Sequence, residues 1–181
     1  MLVPLKGLTS LVTLLMISGD VNALSFMNRL RLKAGGGSGL REEVVGRYFD
    51  GVTKKDRDQI ASCFGKVATI RDVCGLSTAE RSASCDDLAD RCMDFLAAHP
   101  DCKVDFHYPP TCGRGSGSRW VFSHWYETGT WSGTSCGIEP KGDRTLMSPL
   151  CEGQTRFLVS DDLKIEKIVV TRTFTEWEKM L

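Results

Sequence analysis

MDFLAAHPDCKVDF, residues 93–106, decides the fold class, because the hydrophobic period changes inside it. Up to His99 the pattern is helical, with Leu88, Cys92, Phe95 and Leu96 sharing one face. Pro100 then bars continuation, since it lacks an N–H and restricts the residue before it. From Cys102 the period is two: Val104, Phe106 and Tyr108 fall on one side, and Lys103, Asp105 and His107 on the other.

Outward from this switch the two halves of the chain differ. On the C-terminal side, Pro109-Pro110 and the Gly-rich run 113–118 make a loop, and Arg119–Trp131 reads as one long strand. Its faces are Trp120, Phe122, His124 and Tyr126 against Val121, Ser123, Trp125 and Glu127, with Gly129 and Gly133 marking a bend or bulge. Gln154–Ser160 is a further strand, Asp161-Asp162 a turn and Lys164–Thr173 the last strand, followed by a short helix over Thr175–Leu181. On the N-terminal side, Val44, Val45, Tyr48, Phe49 and Val52 form an apolar helical stripe within residues 41–62. A break at Gly51 and the charged run 54–58 precedes a short second helix over Asp56–Phe64, and Lys66–Val73 alternates weakly as a strand. Ser77-Thr78-Ala79-Glu80 offers an N-cap for the helix that runs to His99. Helices first and a strand meander afterwards predict an α+β fold: a curved antiparallel sheet wrapped around N-terminal helices, with a concave face able to take a small ligand.

The composition narrows the function class. Of 181 residues, 41% are apolar and 25% charged, which excludes a disordered chain and a multi-span membrane protein. With 23 basic and 23 acidic side chains there is no basic surplus for a general nucleic-acid binder. Residues 1–25 read as a secretory signal peptide, with Lys6 ahead of an apolar run from Leu8 to Ile17 too short to span a bilayer, and small residues near Ala23. No stable membrane span is expected. Residues 26–41 carry Arg29, Arg31, Lys33 and Arg41 without an acid and include the Gly-rich linker 34–39. A signal peptide followed by such a segment resembles the bipartite presequence of algal secondary plastids, so the expected destination is the plastid by the secretory route, the alternative being secretion. The folded domain is then 42–181. Removing five basic and one acidic side chain from 23 and 23 leaves 18 and 22, a net charge of −4.

Eight cysteines are present, none in CxxC spacing, so neither a zinc ribbon nor a thioredoxin-type site is indicated. Their even number behind a signal peptide permits disulfides, with buried free thiols as the alternative. The Gly-rich loop links two strands rather than opening a helix, and GxSxG and HExxH motifs are absent. The expectation is therefore no cofactor and no metal.

Four stretches carry a resemblance to a known family. MDFLAAHPDCKVDF, GTWSG (129–133), CGIEPKG (136–142) and DDLKIEKIVVTRTFTEWEKML (161–181) are similar, in order and spacing, to the SnoaL-like (polyketide cyclase-like) branch of the NTF2-like superfamily. YFDGVTKKDRDQIASCF (48–64) resembles its opening helix pair. The resemblance spans about residues 41–181. It implies a conical α+β barrel of four to six strands and three helices, an apolar pocket and a homodimer formed through the sheet. It does not fix the chemistry, because this fold hosts isomerases, cyclases, dehydratases, hydrolases and proteins without catalysis. Two departures bear on this: the family's His of GTH is Trp131, and its closing acid falls near Thr173, and neither group titrates near neutral pH.

Other residues are candidates for the role. His124 shares a face with Trp120, Phe122 and Tyr126, and if that face lines the cone it is a His in an aromatic pocket. Asp105 and His107, two apart on a strand, point the same way, so the carboxylate can orient the imidazole. The catalytic candidates are thus His124, Asp105 and His107. The ligand-binding candidates are Tyr48, Trp120, Tyr126, Trp131 and Arg172. Glu127 and Glu152 read as ordinary surface charges. The expected partner is a small apolar molecule. The residues leave open an isomerase, cyclase or dehydratase doing proton transfer in the cone, and a non-catalytic binding or assembly module. An iota-type carbonic anhydrase fits least, since its His-rich segment has no counterpart in VVTRTFTEWE (169–178).

Overall fold

Val44, Val45 and Val52 are buried on one side of helix α1 (Gly37–Lys54) in the computed structural model of the chain. The structure describes Leu30 and residues 37–72, 79–114, 118–134, 139–140 and 145–172, with backbone alone for 72, 145–151 and 172. The expected signal peptide, most of the basic segment, Ser77, Thr78 and the expected terminal helix lie outside the described residues.

The helix pair is present, and its break falls within the charged run 54–58, as expected, but past Gly51. The chain turns at Lys55, whose φ of 56° is left-handed, and Asp56 caps α2 (Arg57–Cys63) by accepting from the Gln59 N–H at 2.9 Å. Gly51 stays in α1 and allows α2 to approach, because a Cβ there would lie 3.0 Å from the Ile60 side chain. The start of α1 corrects a second expectation, since Gly37, Ser38 and Gly39 are helical rather than linker. Glycine is a poor helix former, so contacts elsewhere hold this end. Glu42 accepts from the Cys112 N–H at 2.7 Å, and buried Arg41 reaches Asp161 at 2.8 Å.

Strand β1 (Phe64–Asp72) follows, then β2 (Arg81–Ser84), which pairs antiparallel with β1. Helix α3 (Cys85–Ala98) therefore begins later than the Ser77-Thr78 signal suggests. Its cap is Ser84, which accepts from the Asp87 N–H at 3.1 Å while the Asp87 carboxylate accepts from the Ser84 N–H at 3.3 Å. Strands β3 (Lys103–Cys112), β4 (Trp120–Trp131), β5 (Thr145–Val159) and β6 (Ile165–Arg172) complete the sheet, in the order β2-β1-β6-β5-β4-β3. The β1–β6 pair is parallel and every other pair antiparallel, so the open sheet is mixed rather than wholly antiparallel as expected. β5 starts nine residues before Gln154, and a register shift in β4 between Glu127 and Gly129 accommodates the added length.

The inner face is set by Val121, Ser123 and Trp125 of β4 and Phe157 of β5, with Ile168 of β6. Val121, Phe157 and Ile168 share one core with Val44, Val45 and Ile60 of the helices, and burying each large apolar side chain contributes roughly 1.5–3 kcal/mol. One cross-strand pair is unusual. Trp125 stands opposite Gly153, and a Cβ on Gly153 would lie 2.2 Å from the indole. The ring occupies the place a side chain would take, and its Nε1–H donates to the Thr155 hydroxyl at 2.8 Å. Gly153→Ala is therefore expected to destabilise the fold by about 3 kcal/mol, the upper range for overpacking, as measured by urea unfolding. Trp125→Leu in the same background should recover part of that loss. Gly153→Ala with unchanged stability would show that the indole does not hold this position.

Candidate functional site

Helix α1 lays Tyr48 and Phe49 against the inner face of the sheet. Phe49 meets Phe106 and Phe157 edge-on with ring centres 4.7 and 5.6 Å away. Tyr48 lies 5.7 Å from Phe64 and 5.6 Å from Phe157. Both side chains are half-buried, while Phe64 and Phe157 behind them are fully covered. The concavity is thus walled by rings whose outer edges are still reachable.

Burial is the main reason that the Tyr48 pKa stands well above the ordinary value; the Cys92 thiol, Cys63 and Glu127 act electrostatically to add to it. Hydrogen bonding with the Tyr48 phenol opposes the upward shift of the Cys92 thiol. Burial dominates there too and pushes Cys92 to about 11. Glu127 is two residues beyond Trp125 on the same strand face, which brings its charge to the inner side. Neutral pH therefore leaves a protonated phenol and a protonated thiol on the inner side, with Glu127 near enough to act on the phenol. Such a group can donate a hydrogen bond to a ligand oxygen and offer a base to a ligand C–H or O–H.

Most of the candidates that the sequence singles out lie on the outward face of the sheet rather than in the cone, and the correction has one cause. The structure turns Val121, Ser123 and Trp125 inward, so Trp120, Phe122, His124 and Tyr126 point away from the helices. Phe122 is 39% exposed. Asp105 and His107 lie on the same outward face, as Asp105 pairs with Tyr126. His124, Asp105 and His107 thus do not line the cone. The two imidazoles do come together: the rings of His107 and His124 are 4.3 Å apart, and His107 is 5.1 Å from Tyr126. Trp120 lies under the Arg156 guanidinium at 5.8 Å. Trp131 is buried at the far end of β4, where His99 stacks between Phe95 and its indole at 4.2 and 5.8 Å. Arg172 pairs with Gly153, and its side chain lies outside the described residues. Of the candidates, Tyr48 alone stands where a ligand in the cone would meet it.

Glu127 and Cys92 do not stand out as site residues in the sequence. The signal for Glu127 is its parity with Val121, Ser123 and Trp125, and the more aromatic opposite face outweighs it. Cys63, Cys85, Cys92, Cys102 and Cys112 are all free thiols, so among the described residues the permitted disulfides are not formed.

Comparison with known proteins bears on this arrangement. No family model matches the chain, and no curated protein matches it. Solved structures do. A protein from Jannaschia Sp. CCS1 described as a SnoaL-like polyketide cyclase aligns with a TM-score of 0.58 and 14% identity, over 75% of this chain and 86% of that one. AclR from Streptomyces galilaeus, described as a hydroxylase, gives 0.57 and 14% over 78% and 82%. SalBIII, an epoxide hydrolase/cyclase-like enzyme of salinomycin pyran-ring formation, gives 0.53 and 18% over 75% and 92%. The chain has the SnoaL-like, NTF2-like fold.

The interior thiol makes a prediction about pH. Cys92 is raised from an ordinary value of 9.0 to about 11, so the unfolded thiol ionises first as pH rises. Its contribution is fully present below about pH 9 and is lost as pH rises through about 11, with a slope near 1.4 kcal/mol per pH unit. Urea unfolding from pH 8 to 11 should show this decline, and Cys92→Ala should flatten it. An equal decline in the variant would remove Cys92 as its source.

Proposed function

We propose that this protein binds a small, mainly apolar or aromatic molecule in the concavity between α1 and the sheet, and moves a proton on it. The chemistry is of the isomerase, cyclase or dehydratase type. The observation that carries this reading is the Tyr48–Cys92–Glu127 group set among Phe49, Phe106 and Phe157. The rings supply an apolar wall for the ligand body. The Tyr48 hydroxyl is a donor that does not ionise at working pH and suits a carbonyl or enolate oxygen. Glu127 is the acid–base group. The neutral Cys92 thiol is not a nucleophile here, because the thiolate is the reactive form. The names of the neighbours, a hydroxylase and a cyclase-like enzyme among them, are compatible with such chemistry and do not specify it.

Plastid delivery by residues 1–41 and a homodimer through the sheet belong to this proposal on the strength of the sequence.

The test begins with native mass spectrometry of the protein purified from its own source, before and after denaturation. A co-purifying apolar molecule is the expected result and defines the substrate class for an activity assay. Glu127→Gln should then lower turnover by roughly 100-fold with binding retained, the loss typical of a removed acid–base group. Tyr48→Phe should weaken binding by about tenfold, the worth of one hydrogen bond. An empty protein that takes up no apolar probe, or full turnover in Glu127→Gln, would overturn the assignment.

A further inference from the structure

The outward face of the sheet carries a second site. His107 of β3, His124 of β4 and Glu152 of β5 stand side by side across three adjacent strands. His107 Nε2 lies 3.4 Å from one Glu152 carboxylate oxygen and His124 Nε2 lies 3.7 Å from the other. One ligand atom from each residue falls within 4.8 Å of the other two. We infer that these three side chains bind a zinc ion, with water in the fourth position.

The donor chemistry points to a borderline divalent cation. Two imidazole nitrogens and one carboxylate oxygen are ligands that zinc accepts, and calcium and magnesium prefer oxygens alone. The geometry agrees. With metal–ligand bonds of about 2.0–2.1 Å, two ligands of a tetrahedral ion lie about 3.3 Å apart. Separations of 3.4 and 3.7 Å are near that value. Exposure agrees as well. The three side chains are 38%, 28% and 44% exposed, which leaves a ligand position facing solvent. Three protein ligands and one open position form the set that catalytic zinc sites use.

The backbone builds this arrangement. The register that pairs Lys103–Phe106 with Thr128–Trp125 leads, one step on, to His107 opposite His124. The register then shifts by one residue, Tyr108 pairs with His124, and His107 is the extra residue of a bulge beside it. The two imidazole rings lie 4.3 Å apart, and Glu152 reaches both from β5, on the far side of β4. A dication satisfies both rings and the carboxylate together. The site lies on the opposite side of the sheet from Tyr48 and Glu127, so it stands or falls independently of the proposed function.

The full chain, stripped with EDTA, is dialysed against ZnCl2 and its metal content measured, with CoCl2 as a spectroscopic probe. One zinc per chain is expected, together with the visible bands of tetrahedral cobalt. His107→Ala, His124→Ala and Glu152→Gln should each weaken binding by at least about tenfold, the lower end for loss of a metal-site interaction. No stoichiometric zinc on the wild-type protein would overturn the inference, as would unchanged binding in both His variants. A sulfur-to-cobalt charge-transfer band on the wild type would place the ion on cysteines and overturn it too, whether or not the variants fold.

Discussion

The Trp125 indole lies against the backbone of Gly153, and the rest of the molecule is arranged around that contact. The ring fills the place of the missing side chain and donates to the Thr155 hydroxyl at 2.8 Å. A large ring can lie across the inner face of β5 there because β5 offers no Cβ. Ser123, beside it on β4, is small and fully buried. The parity of β4 is thereby fixed: odd-numbered residues up to Glu127 face the helices and even-numbered ones face away. A slip of one residue would move the whole set to the other side. Both sites follow from this single choice, Glu127 within the cone and His124 outside it.

On the inner side, burial holds Tyr48 and Cys92 neutral, and Glu127 adds to the shift of the phenol. The outside collects the imidazoles, the exposed rings and the long charged side chains. Surface ion pairs, such as Arg57 with Asp86 and Asp90, join α2 to α3 and contribute little each. The two faces of one sheet are therefore differently furnished: aromatic rings, a phenol and a thiol on the inner side, imidazoles and charged side chains on the outer.

Much of the fold is legible in the sequence because hydrophobic period is a local property. The change from helix to strand around Pro100, the helix pair ahead of Phe64 and the strand identities of β1, β3, β4 and β6 all follow from spacing. What local pattern does not contain is partner choice. The parallel pairing of β1 with β6 joins residues about a hundred positions apart, and no short window reports it. The capping box at Ser84 is masked by an equally plausible signal just upstream at Ser77-Thr78. For the site, Tyr48 is legible from its helical stripe. The orientation of β4 is not, because its outward face is the more aromatic of the two, and aromatic content ordinarily signals burial. Glu127 looks like a surface charge for the same reason. The meeting of His107, His124 and Glu152 depends on which strands are neighbours and in what register, and neither leaves a mark in composition or period.

The strand order carries a consequence for how the protein is made. β6 sits in the middle of the sheet, between β1 and β5, yet it is the last of the described strands to leave the ribosome. Until it arrives, the unit of β1 and β2 and the meander of β3, β4 and β5 each present an unpaired edge that later becomes interior. Such edges invite pairing with other chains while synthesis continues. The β1–β6 pairing spans about a hundred residues, and pairings of such long range slow folding in general. A chain truncated before Ile165 would lose the element that joins its halves rather than a dispensable tail.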